Sequence, residues 1–378
     1  MASLRDLTDA PGPPDLTSVL EVAELDAAAG EEAGRLTAAV VAALRAAGLF
    51  ALHQPTDLGG LGLDLPTACE VIARVAEADG AAGWAAMIGA GPAWFAGRMD
   101  PGGAVEVFGG GGAVAGSGQP GRAEPAGGGA VRIHGRWRWC SGAPWADWFT
   151  FNALDPDGAV VTVAVPAGEV TIHPETWDVR GLRATASCDV SVAGALVPPH
   201  RTFHVGDEPP VRAEAIFRVS FEAFAQATMG AVPIGLARHA VTEAVALAEE
   251  KWPTHGSGRL ADDPLARRAL AGAAAAVHAA EAGLRTAIGA VWAPVAAGDR
   301  SSAPDLVVLR LAAVHAARTG MAVAAELGAL AGMSALDRGS TLGRALSDLP
   351  AAARNALLTD SRLAEVDPVS LPVGRAGR

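Results

Sequence analysis

The sequence of 378 residues contains no tyrosine, a single lysine at Lys251, and three cysteines. The lack of tyrosine excludes a phenol side chain as general acid or base anywhere in the protein. The cysteines Cys69, Cys140 and Cys188 are odd in number, far apart and without CxxC spacing. This pattern argues against a disulfide framework or a zinc site, and it fits a reducing cytoplasm.

Basic charge is also scarce, because 29 basic residues stand against 41 acidic ones and give a formal net charge of −12. Such a surface does not suit the phosphates of nucleic acid or an anionic membrane. The first residues contain no apolar segment of signal-peptide length. The most apolar tract, 305–333, is interrupted by Arg, His and Glu, so it predicts a buried helix rather than a membrane span. We expect a cytoplasmic protein.

The sequence does contain enough apolar material, 50% of the residues, for a large core in two or three packed units. Helical periodicity dominates up to residue 108, period-two patterns with dense Gly and Pro come next, and long Ala-rich helical runs close the chain. The expected class is α+β, with an N-terminal helical domain (1–108), a central antiparallel, barrel-like β domain (109–212) and a C-terminal four-helix bundle (213–378).

The individual elements are predicted from the same patterns of apolar spacing, caps and turn residues. The predicted helices cover 31–47, 66–79, 84–99, 217–251, 264–296, 303–330 and 341–359, and the predicted strands cover 131–139, 148–154, 160–165, 170–173 and 189–197.

Gly116, Gly118 and Gly121 satisfy the G-x-G-x-x-G pattern of dinucleotide-binding folds. That motif requires a strand before it and a helix after it. Here Glu124-Pro125-Ala126-Gly127 comes next, which cannot begin the helix. The pattern therefore does not predict a Rossmann site.

The segment from Gly135 to Trp148, Gly-Arg-Trp-Arg-Trp-Cys-Ser-Gly-Ala-Pro-Trp-Ala-Asp-Trp, joins two Trp-rich strands through a Ser141-Gly142 turn. One interpretation is a hairpin with an aromatic core, since indoles in strands usually pack. The other is a flat aromatic wall with a hydroxyl at its edge. Taken alone, the segment is compatible with both.

A second segment, from Thr176 to Val190, contains Trp-Asp-Val-Arg-Gly-Leu-Arg-Ala-Thr-Ala-Ser-Cys-Asp-Val and is followed by Val197-Pro198. With the helix–strand–helix order, the two segments resemble the acyl-CoA dehydrogenase fold superfamily, and most closely its two-component flavin-dependent monooxygenases. Other pieces agree with the resemblance in the same order: Leu58-Gly-Gly-Leu-Gly62, Gly83-Trp84, Pro120-Gly-Arg-Ala123 and Ser340-Thr-Leu-Gly-Arg-Ala-Leu-Ser-Asp-Leu349.

The resemblance implies a flavin, FAD or FMN, between the β domain and the C-terminal bundle, often with help from a neighbouring subunit. It also implies that Ser141 hydrogen-bonds the flavin N5 atom. The residues implied to line the flavin are Trp84, Ser117, Gly118, Gln119, Trp139, Cys140, Ser141, Gly332, Met333 and Ser334.

An acyl-CoA dehydrogenase needs a carboxylate to remove the substrate α-proton. The two positions where the superfamily places it are Ala356 and the region of Ala225, with Glu222 about one turn away. The Arg-x-x-Phe-Gly motif that grips FAD is missing after Lys251. These departures favour a reduced flavin that is delivered by a separate reductase and a monooxygenase reaction with O2.

The monooxygenases of this type usually carry a histidine where this chain has Asn355, and a second one where it has Gly91-Pro92. An amide cannot act as a base near neutral pH. Asn355 and Ser141 remain the candidate catalytic residues, acting on a small aromatic or heteroatom-containing substrate that needs no histidine base. The alternatives are a flavin dehydrogenase or oxidase with Glu222 or a substrate group as base, and a non-catalytic flavin-fold subunit.

Three further expectations concern assembly and polar residues. The resemblance implies a homo-oligomer, either a dimer or a tetramer. No His, Asp and Glu set has the spacing of a metal site. Arg344 and Asp348, at i and i+4, are interpreted as a helix ion pair, and the remaining histidines, including His204, as structural or surface residues.

Overall fold

The computed structural model describes residues 12–206, 208–254, 258–367 and 371. Helices come first, then seven strands, then long helices, in the order expected for the α+β class. The N-terminal helices are α1 (Thr17–Ala33), α2 (Ala38–Ala46), α3 (Leu65–Ala78), α4 (Gly80–Ala90) and α5 (Pro101–Phe108).

The predicted helix over 31–47 is wrong at its start. Gly34 ends α1 in a left-handed conformation, and the hydroxyl of Thr37 accepts the backbone N–H of Val40 to begin α2. These are the usual chemistries of a helix C-terminus and N-terminus. The predicted helix over 84–99 is also shorter than expected, because the α4 helix gives way to a 3-10 segment over Gly91–Gly97.

A buried carboxylate begins the helix that packs nearest the sheet. Asp79 accepts the backbone N–H of Ala82 at 2.8 Å and so caps α4, which carries Trp84. Burial raises the pKa of Asp79. Since α4 is apolar on all sides and almost wholly buried, this cap fixes a helix that lies in the interior of the protein.

The central unit is a seven-stranded sheet in the order β5-β6-β2-β1-β3-β4-β7. Its strands are β1 (Val114–Pro125), β2 (Val131–Cys140), β3 (Trp148–Leu154), β4 (Val160–Pro166), β5 (Thr171–His173), β6 (Cys188–Val197) and β7 (Thr202–Phe203). The sheet is mixed, and this corrects the antiparallel expectation. β1 runs parallel to β3, whereas every other adjacent pair is antiparallel.

The sequence patterns did not predict β1, whose glycines obscure its alternation. The G-x-G-x-x-G stretch lies within β1, and β2 comes after it instead of a helix, as the sequence context required. At Gly121 a Cβ atom would lie 2.3 Å from the indole of Trp137. This glycine is therefore explained by close packing in the sheet and not by a bound phosphate.

The C-terminal helices are α6 (Phe221–Glu250), α7 (Pro264–Ala296), α8 (Ala303–Ala331), α9 (Thr341–Ala352) and the short α10 (Ser361–Ala364). Small residues allow close approach: a Cβ atom on Gly235 of α6 would lie 2.1 Å from the carbonyl oxygen of Ala73 on α3. By length and composition α6 and the segment 303–336 could cross a membrane, but here α6 lies at the centre of the helical packing.

The buried apolar residues of the N-terminal and C-terminal helices form one continuous cluster that Val114, Ala164 and Phe203 of the sheet join, and most buried sheet residues form a second one. The division of the chain into three domains at residues 108 and 212 stays a prediction. Any group that lies between the sheet and the helices contacts two separately packed bodies.

His53 is a buried polar residue within the helical core. Its ring lies edge-on to Phe224, with 4.8 Å between the ring centroids, and neither ring nitrogen has a hydrogen-bond partner among the described residues. Burial lowers the pKa of His53 to about 3. The folded protein therefore holds this imidazole neutral, while the unfolded chain protonates it near its ordinary pKa of about 6.5.

We expect acid to destabilise the fold through His53. Its contribution to stability is complete above pH about 6.5 and is lost as the pH falls toward 3, because only the unfolded state takes up the proton. Between pH 7 and pH 5 the free energy of unfolding should fall by about 2 kcal/mol more in the wild type than in His53→Phe. Urea unfolding at both pH values measures this difference, and exposed His278→Gln is the control. Equal pH dependence of wild type and His53→Phe would contradict it.

Candidate active site

A cavity of about 670 Å³ lies between the sheet, α4 with the segment after it, and the first turns of α6. Its helical side is apolar and aromatic, and its sheet side carries short polar side chains. The apolar lining side chains are Met87, Ile88, Pro92, Phe95, Val160, Val205, Phe221, Phe224, Ala225 and Met229. A cavity of this size with one apolar wall and a few polar groups suits a small organic molecule.

The polar wall is held together by Asn152 of β3. Its Nδ2 group donates to the carbonyl oxygen of Gly118 at 3.2 Å, and its Oδ1 atom accepts the hydroxyl of Thr162 at 2.9 Å. Between Ser117 and Pro120 the register of β1 against β3 shifts, so Gly118 and Gln119 bulge out of the strand. Ser117 and Gly118 line the cavity, and Gln119 is exposed beside them. The bulge turns backbone groups toward the cavity that a regular strand would use in the sheet.

The cavity has no carboxylate on α6. Ala225 lines it, while Glu222, one turn earlier, accepts Nη2 of Arg310 at 2.8 Å and Nε2 of Gln226 at 3.1 Å. Glu222 is therefore engaged away from the cavity, which contradicts its proposed role as a base. The carboxylate that does line the cavity is Glu208, an exposed residue of the loop after β7.

His204 lies on the rim of the cavity, where the sequence suggested only a connector residue. Its Nδ1 atom is 3.1 Å from the carbonyl oxygen of Val160, so Nδ1 carries the hydrogen and Nε2 is left as an acceptor. Gly91 and Pro92, at the position of a family histidine, also line the cavity. This position therefore faces the cavity, and it carries no base.

A chain of buried side-chain hydrogen bonds lies at the junction of α4 and the sheet. Trp84 Nε1 donates to Ser141 Oγ at 3.0 Å, and Ser141 Oγ is 2.7 Å from Ser187 Oγ. Ser187 Oγ is in turn 2.7 Å from Thr185 Oγ1, whose hydroxyl donates to the carbonyl oxygen of Leu182 at 2.7 Å. We call these five residues the hydroxyl relay. Two predicted site residues, Trp84 and Ser141, are thus in direct contact.

Sequence reasoning assigned no role to Thr185 and Ser187, although both lie in the motif that carries the family resemblance. Spacing gave no signal for their contact, because Thr185 ends a 3-10 turn and Ala186 between them adopts a left-handed conformation. The relay also reaches the C-terminal bundle. Asp348 Oδ1 of α9 accepts the backbone N–H of Leu182, so this carboxyl group is engaged by the backbone and not by the predicted close ion pair with Arg344.

Burial raises the pKa of Asp348 well above its usual range, and the hydrogen bond from Leu182 offsets this effect only partly. The carboxylates of Asp79 and Glu31 raise the pKa further, whereas the cation of Arg344 lowers it. The pair Asp79 and Asp348 therefore anchors both ends of the relay, one through the cap of α4 and the other through Leu182.

Trp139 has a different environment from the other indole of its strand. Trp137 is fully buried and stacks on Phe151 at 4.1 Å between ring centroids, whereas Trp139 is 57% exposed and lies under the guanidinium of Arg138. A register shift between Trp137 and Cys140, together with φ of 60° at Trp139, turns this indole away from the sheet core. The hairpin-core interpretation therefore holds for Trp137 and the aromatic-wall interpretation for Trp139.

Cys140 is the next residue after Trp139 and points in the opposite direction. Its side chain is fully buried in the sheet core, and burial raises the pKa of its thiol to about 12. Only the backbone of Cys140 is therefore available to a ligand at the surface that Trp139 exposes. All three cysteines are free and buried, and Cys140 and Cys188 lie opposite each other on the neighbouring strands β2 and β6, although they are far apart in the sequence.

Asn355 lies in a turn after the end of α9, because the predicted helix over 341–359 stops at Ala352. Its Oδ1 atom accepts the backbone N–H of Leu357 at 3.0 Å. Asn355 is not among the residues that line the cavity. Ser141 is not among them either, so the structure does not bring Asn355 and Ser141 to opposite walls of this cavity, as the sequence suggested.

The turn of Gly332, Met333 and Ser334 is also remote from the cavity. Lys251, after the end of α6, donates to the hydroxyl of Ser334 at 3.0 Å, while the other end of α6, up to Met229, lines the cavity. At 1.5 Å per residue this length of helix spans about 30 Å. Within one chain these three residues therefore do not share the site with Ser117 and Gly118.

The residues of the relay and the bulge fit a flavin. Trp139 offers an exposed indole face, Ser141 a polar hydroxyl with a remaining lone pair, and the bulge at Gly118 and Gln119 an exposed stretch of backbone. These are the groups that a planar ring with polar edges requires. Trp84 acts through Ser141, because its own N–H is engaged.

Family models match both helical parts of the chain. Residues 19–97 match the model of the N-terminal domain of acyl-CoA dehydrogenases, and residues 227–359 match the C-terminal domain. Indole-3-acetate monooxygenase of Pseudomonas putida is 32% identical over 85% of this chain and 83% of that protein.

Two solved structures share the fold. The HsaA monooxygenase of Mycobacterium tuberculosis superimposes with a TM-score of 0.84 over 93% of this chain and 96% of that one, at 26% identity. XiaF from Streptomyces, in complex with FADH2 and glycerol, gives a TM-score of 0.85 over 97% and 96%, at 23% identity.

The fold and the site define a flavoprotein of the acyl-CoA dehydrogenase type. Within that superfamily the chain belongs to the flavin-dependent monooxygenases. The enzyme is therefore an oxidoreductase that uses flavin, as the sequence motifs implied.

We expect Asp348 to stabilise the fold as the hydrogen-bond acceptor for Leu182. Asp348→Asn keeps an acceptor oxygen and should change the free energy of unfolding at pH 7 by less than about 1 kcal/mol. Asp348→Ala leaves the Leu182 N–H unpaired in the interior and should cost about 1–3 kcal/mol. Urea unfolding measures both variants, and equal losses would show that Asp348 stabilises the fold by something other than this hydrogen bond.

Proposed function

We propose that this monooxygenase is the oxygenase component of a two-component system and that its substrate is a small, electron-rich aromatic molecule of the indole type. A separate reductase supplies the reduced flavin, FAD or FMN. A cytoplasmic location, in which the three free thiols stay reduced, belongs to the same proposal.

The observation that carries the substrate class is that three positions expected to carry a base carry none, although the rim of the cavity holds His204 with its Nε2 atom left as an acceptor. Ala225 stands where a dehydrogenase needs a carboxylate, Gly91 and Pro92 replace a histidine, and the amide of Asn355 is bound to its own turn. A phenol must lose its proton to become a good nucleophile, whereas an indole ring is electron-rich while neutral. The similarity to an indole-3-acetate monooxygenase supports the same class.

The cavity walls fit such a ring. Phe95 and Phe221 stack with 5.3 Å between ring centroids, and Phe224 lies beside them. A planar substrate packs against these rings by offset stacking or edge-to-face contact. The opposite wall, at Asn152 and Thr162, offers hydrogen bonds that orient a ring N–H or a side-chain carboxyl group.

The chemistry divides between cofactor and protein. Flavin, when bound, supplies the reducing equivalents and the site at which O2 is activated. The protein holds the substrate ring against Phe221 and Phe224 and orients the polar edge of the substrate through Asn152. It also excludes water from the apolar wall of the cavity.

The oxygenation itself can be tested with indole and indole-3-acetate. With reduced FAD or FMN and ¹⁸O₂, mass spectrometry should find one ¹⁸O atom in the product. Glu222→Gln and Glu208→Gln should keep at least about half of the rate, because neither carboxylate is placed as the base. Substrate-driven reduction of oxidised flavin without O2 would establish the dehydrogenase alternative, with loss of this reduction in Glu222→Gln if Glu222 is its base and no loss if a substrate group is. Failure to bind flavin in either oxidation state would establish the non-catalytic one.

We also propose that the chain assembles into a homo-oligomer, a dimer or a tetramer, in which the turn of Gly332, Met333 and Ser334 meets the flavin of another copy. The turn is about 30 Å from the cavity of its own chain by helix length. Yet its Met333 is 78% exposed, and the exposed side chains Trp252, Leu265 and Leu336 belong to the same end of the bundle. Exposed apolar side chains in one region are typical of subunit contacts.

Met333→Asp should weaken this association by at least about tenfold, since it places a charge in an apolar contact. Sedimentation velocity over a concentration series measures the shift toward monomer. Leu25→Asp on α1, which is equally exposed, is the matched control and should leave the assembly unchanged. A Met333→Asp protein that associates like the wild type would contradict the proposed contact.

A further inference from the structure

We propose that Thr185 and Ser187 are positioning residues that hold the hydroxyl of Ser141 as a hydrogen-bond acceptor toward the flavin, so that the site prefers reduced over oxidised flavin. This proposal rests on the proposed function and on the contact between Ser141 and the flavin N5 atom that the family resemblance implies. It assigns a specificity role to two residues that do not touch the cofactor.

The direction of the relay is set by its last acceptor. The carbonyl oxygen of Leu182 can only accept, so Thr185 donates its single hydroxyl hydrogen to it at 2.7 Å. Ser187, 2.7 Å from Thr185 Oγ1, must therefore donate its hydrogen to Thr185. The same reasoning applies one step further, and Ser141 must donate its hydrogen to Ser187 at 2.7 Å.

The first donor of the relay agrees with this direction. The indole N–H of Trp84 can only donate, and it does so to Ser141 Oγ at 3.0 Å. Ser141 thus donates its one hydrogen to Ser187 and accepts the Trp84 N–H with one lone pair. A hydroxyl oxygen has two lone pairs, so what Ser141 has left for a flavin is an acceptor and not a donor.

Burial prevents an easy reversal of the hydroxyls. Thr185, Ser187 and Ser141 are only 1%, 5% and 6% exposed, so water does not replace a broken member of the relay. Turning the Ser141 hydrogen outward would leave the Ser187 oxygen short of a donor in the interior. Hydrogen bonds that point in one direction also polarise one another in a low-dielectric environment.

The backbone beside the relay adopts strained conformations, and these bring the members of the relay together. In the described part of the chain the non-glycine residues with positive φ are Trp139, Leu182 and Ala186. Trp139 lies two residues before Ser141, Leu182 supplies the last acceptor, and Ala186 separates Thr185 from Ser187. Each such residue costs of order 1–2 kcal/mol, and strain of this kind persists where the surrounding structure requires it.

The two oxidation states of flavin present opposite groups at N5. Oxidised flavin has a bare nitrogen that accepts hydrogen bonds, whereas reduced flavin carries a hydrogen at N5 and donates. A Ser141 oxygen held as an acceptor pairs with the reduced form and opposes the lone pair of the oxidised form. The relay therefore favours capture of the reduced flavin from a reductase and release of the oxidised flavin after turnover.

Anaerobic equilibrium titration tests this without any turnover. The Kd values of reduced and oxidised FAD and FMN are measured by flavin and tryptophan fluorescence for wild type, Ser187→Ala, Thr185→Val and Thr185→Ser. We expect the wild type to bind reduced flavin at least about tenfold more tightly, a factor that one hydrogen bond can supply. Ser187→Ala and Thr185→Val release the Ser141 hydrogen from the relay. They should lower the ratio of the Kd for oxidised flavin to the Kd for reduced flavin about tenfold. Thr185→Ser keeps the hydroxyl and should preserve the ratio.

The ratio distinguishes positioning from a merely structural role, which would change both Kd values by the same factor. Unchanged ratios in both Ser187→Ala and Thr185→Val, with wild-type circular dichroism, overturn the proposal, and either variant suffices if the other does not fold. A wild type that binds both forms equally also overturns it while the proposed oxygenase function stands. A wild type that binds neither form refutes the proposed function itself.

Discussion

The hydroxyl relay from Trp84 to Leu182 is the interaction on which the arrangement of this enzyme depends. Its members come from α4, from the end of β2 and from the segment before β6, and Asp348 of α9 holds its last residue. Buried polar groups must find partners, so a shift of any one of these elements would leave donors or acceptors unpaired in the interior. The helices and the sheet have largely separate apolar cores, and the hydroxyl relay fixes the position of the helices relative to the sheet.

The sequence predicted secondary structure best where one physical signal dominated. The limits of α7 and β3 agree with the apolar spacing, because Asp263 and Pro264 mark a helix start and strong alternation marks the strand. β1 escaped prediction because its glycines interrupt the alternation, and one of them, Gly121, is there to admit Trp137 of the neighbouring strand. The break at Gly34 was likewise missed, because a continuous apolar stripe conceals a change of helix.

For the site, the sequence predicted which residues take part better than it predicted which way their side chains point. Trp84 and Ser141 came from sequence motifs, and they are in contact. Cys140 and Trp139 are neighbours in the same motif, yet one faces the sheet core and the other solvent, because a bulge and a positive φ interrupt the alternation. Asn355 could not be placed from sequence, since its position depends on where α9 ends and on a local hydrogen bond to Leu357.

A serine in a sequence does not show whether its hydroxyl donates or accepts, because the side chain can do both. Here the carbonyl of Leu182, which can only accept, fixes the direction of the hydrogen bond from Thr185. That direction in turn fixes those of Ser187 and Ser141. The backbone carbonyl is available because Leu182 adopts a left-handed conformation and its N–H is held by Asp348. The preference for a cofactor oxidation state is therefore encoded in backbone geometry more than 40 positions along the chain from the residue that would express it.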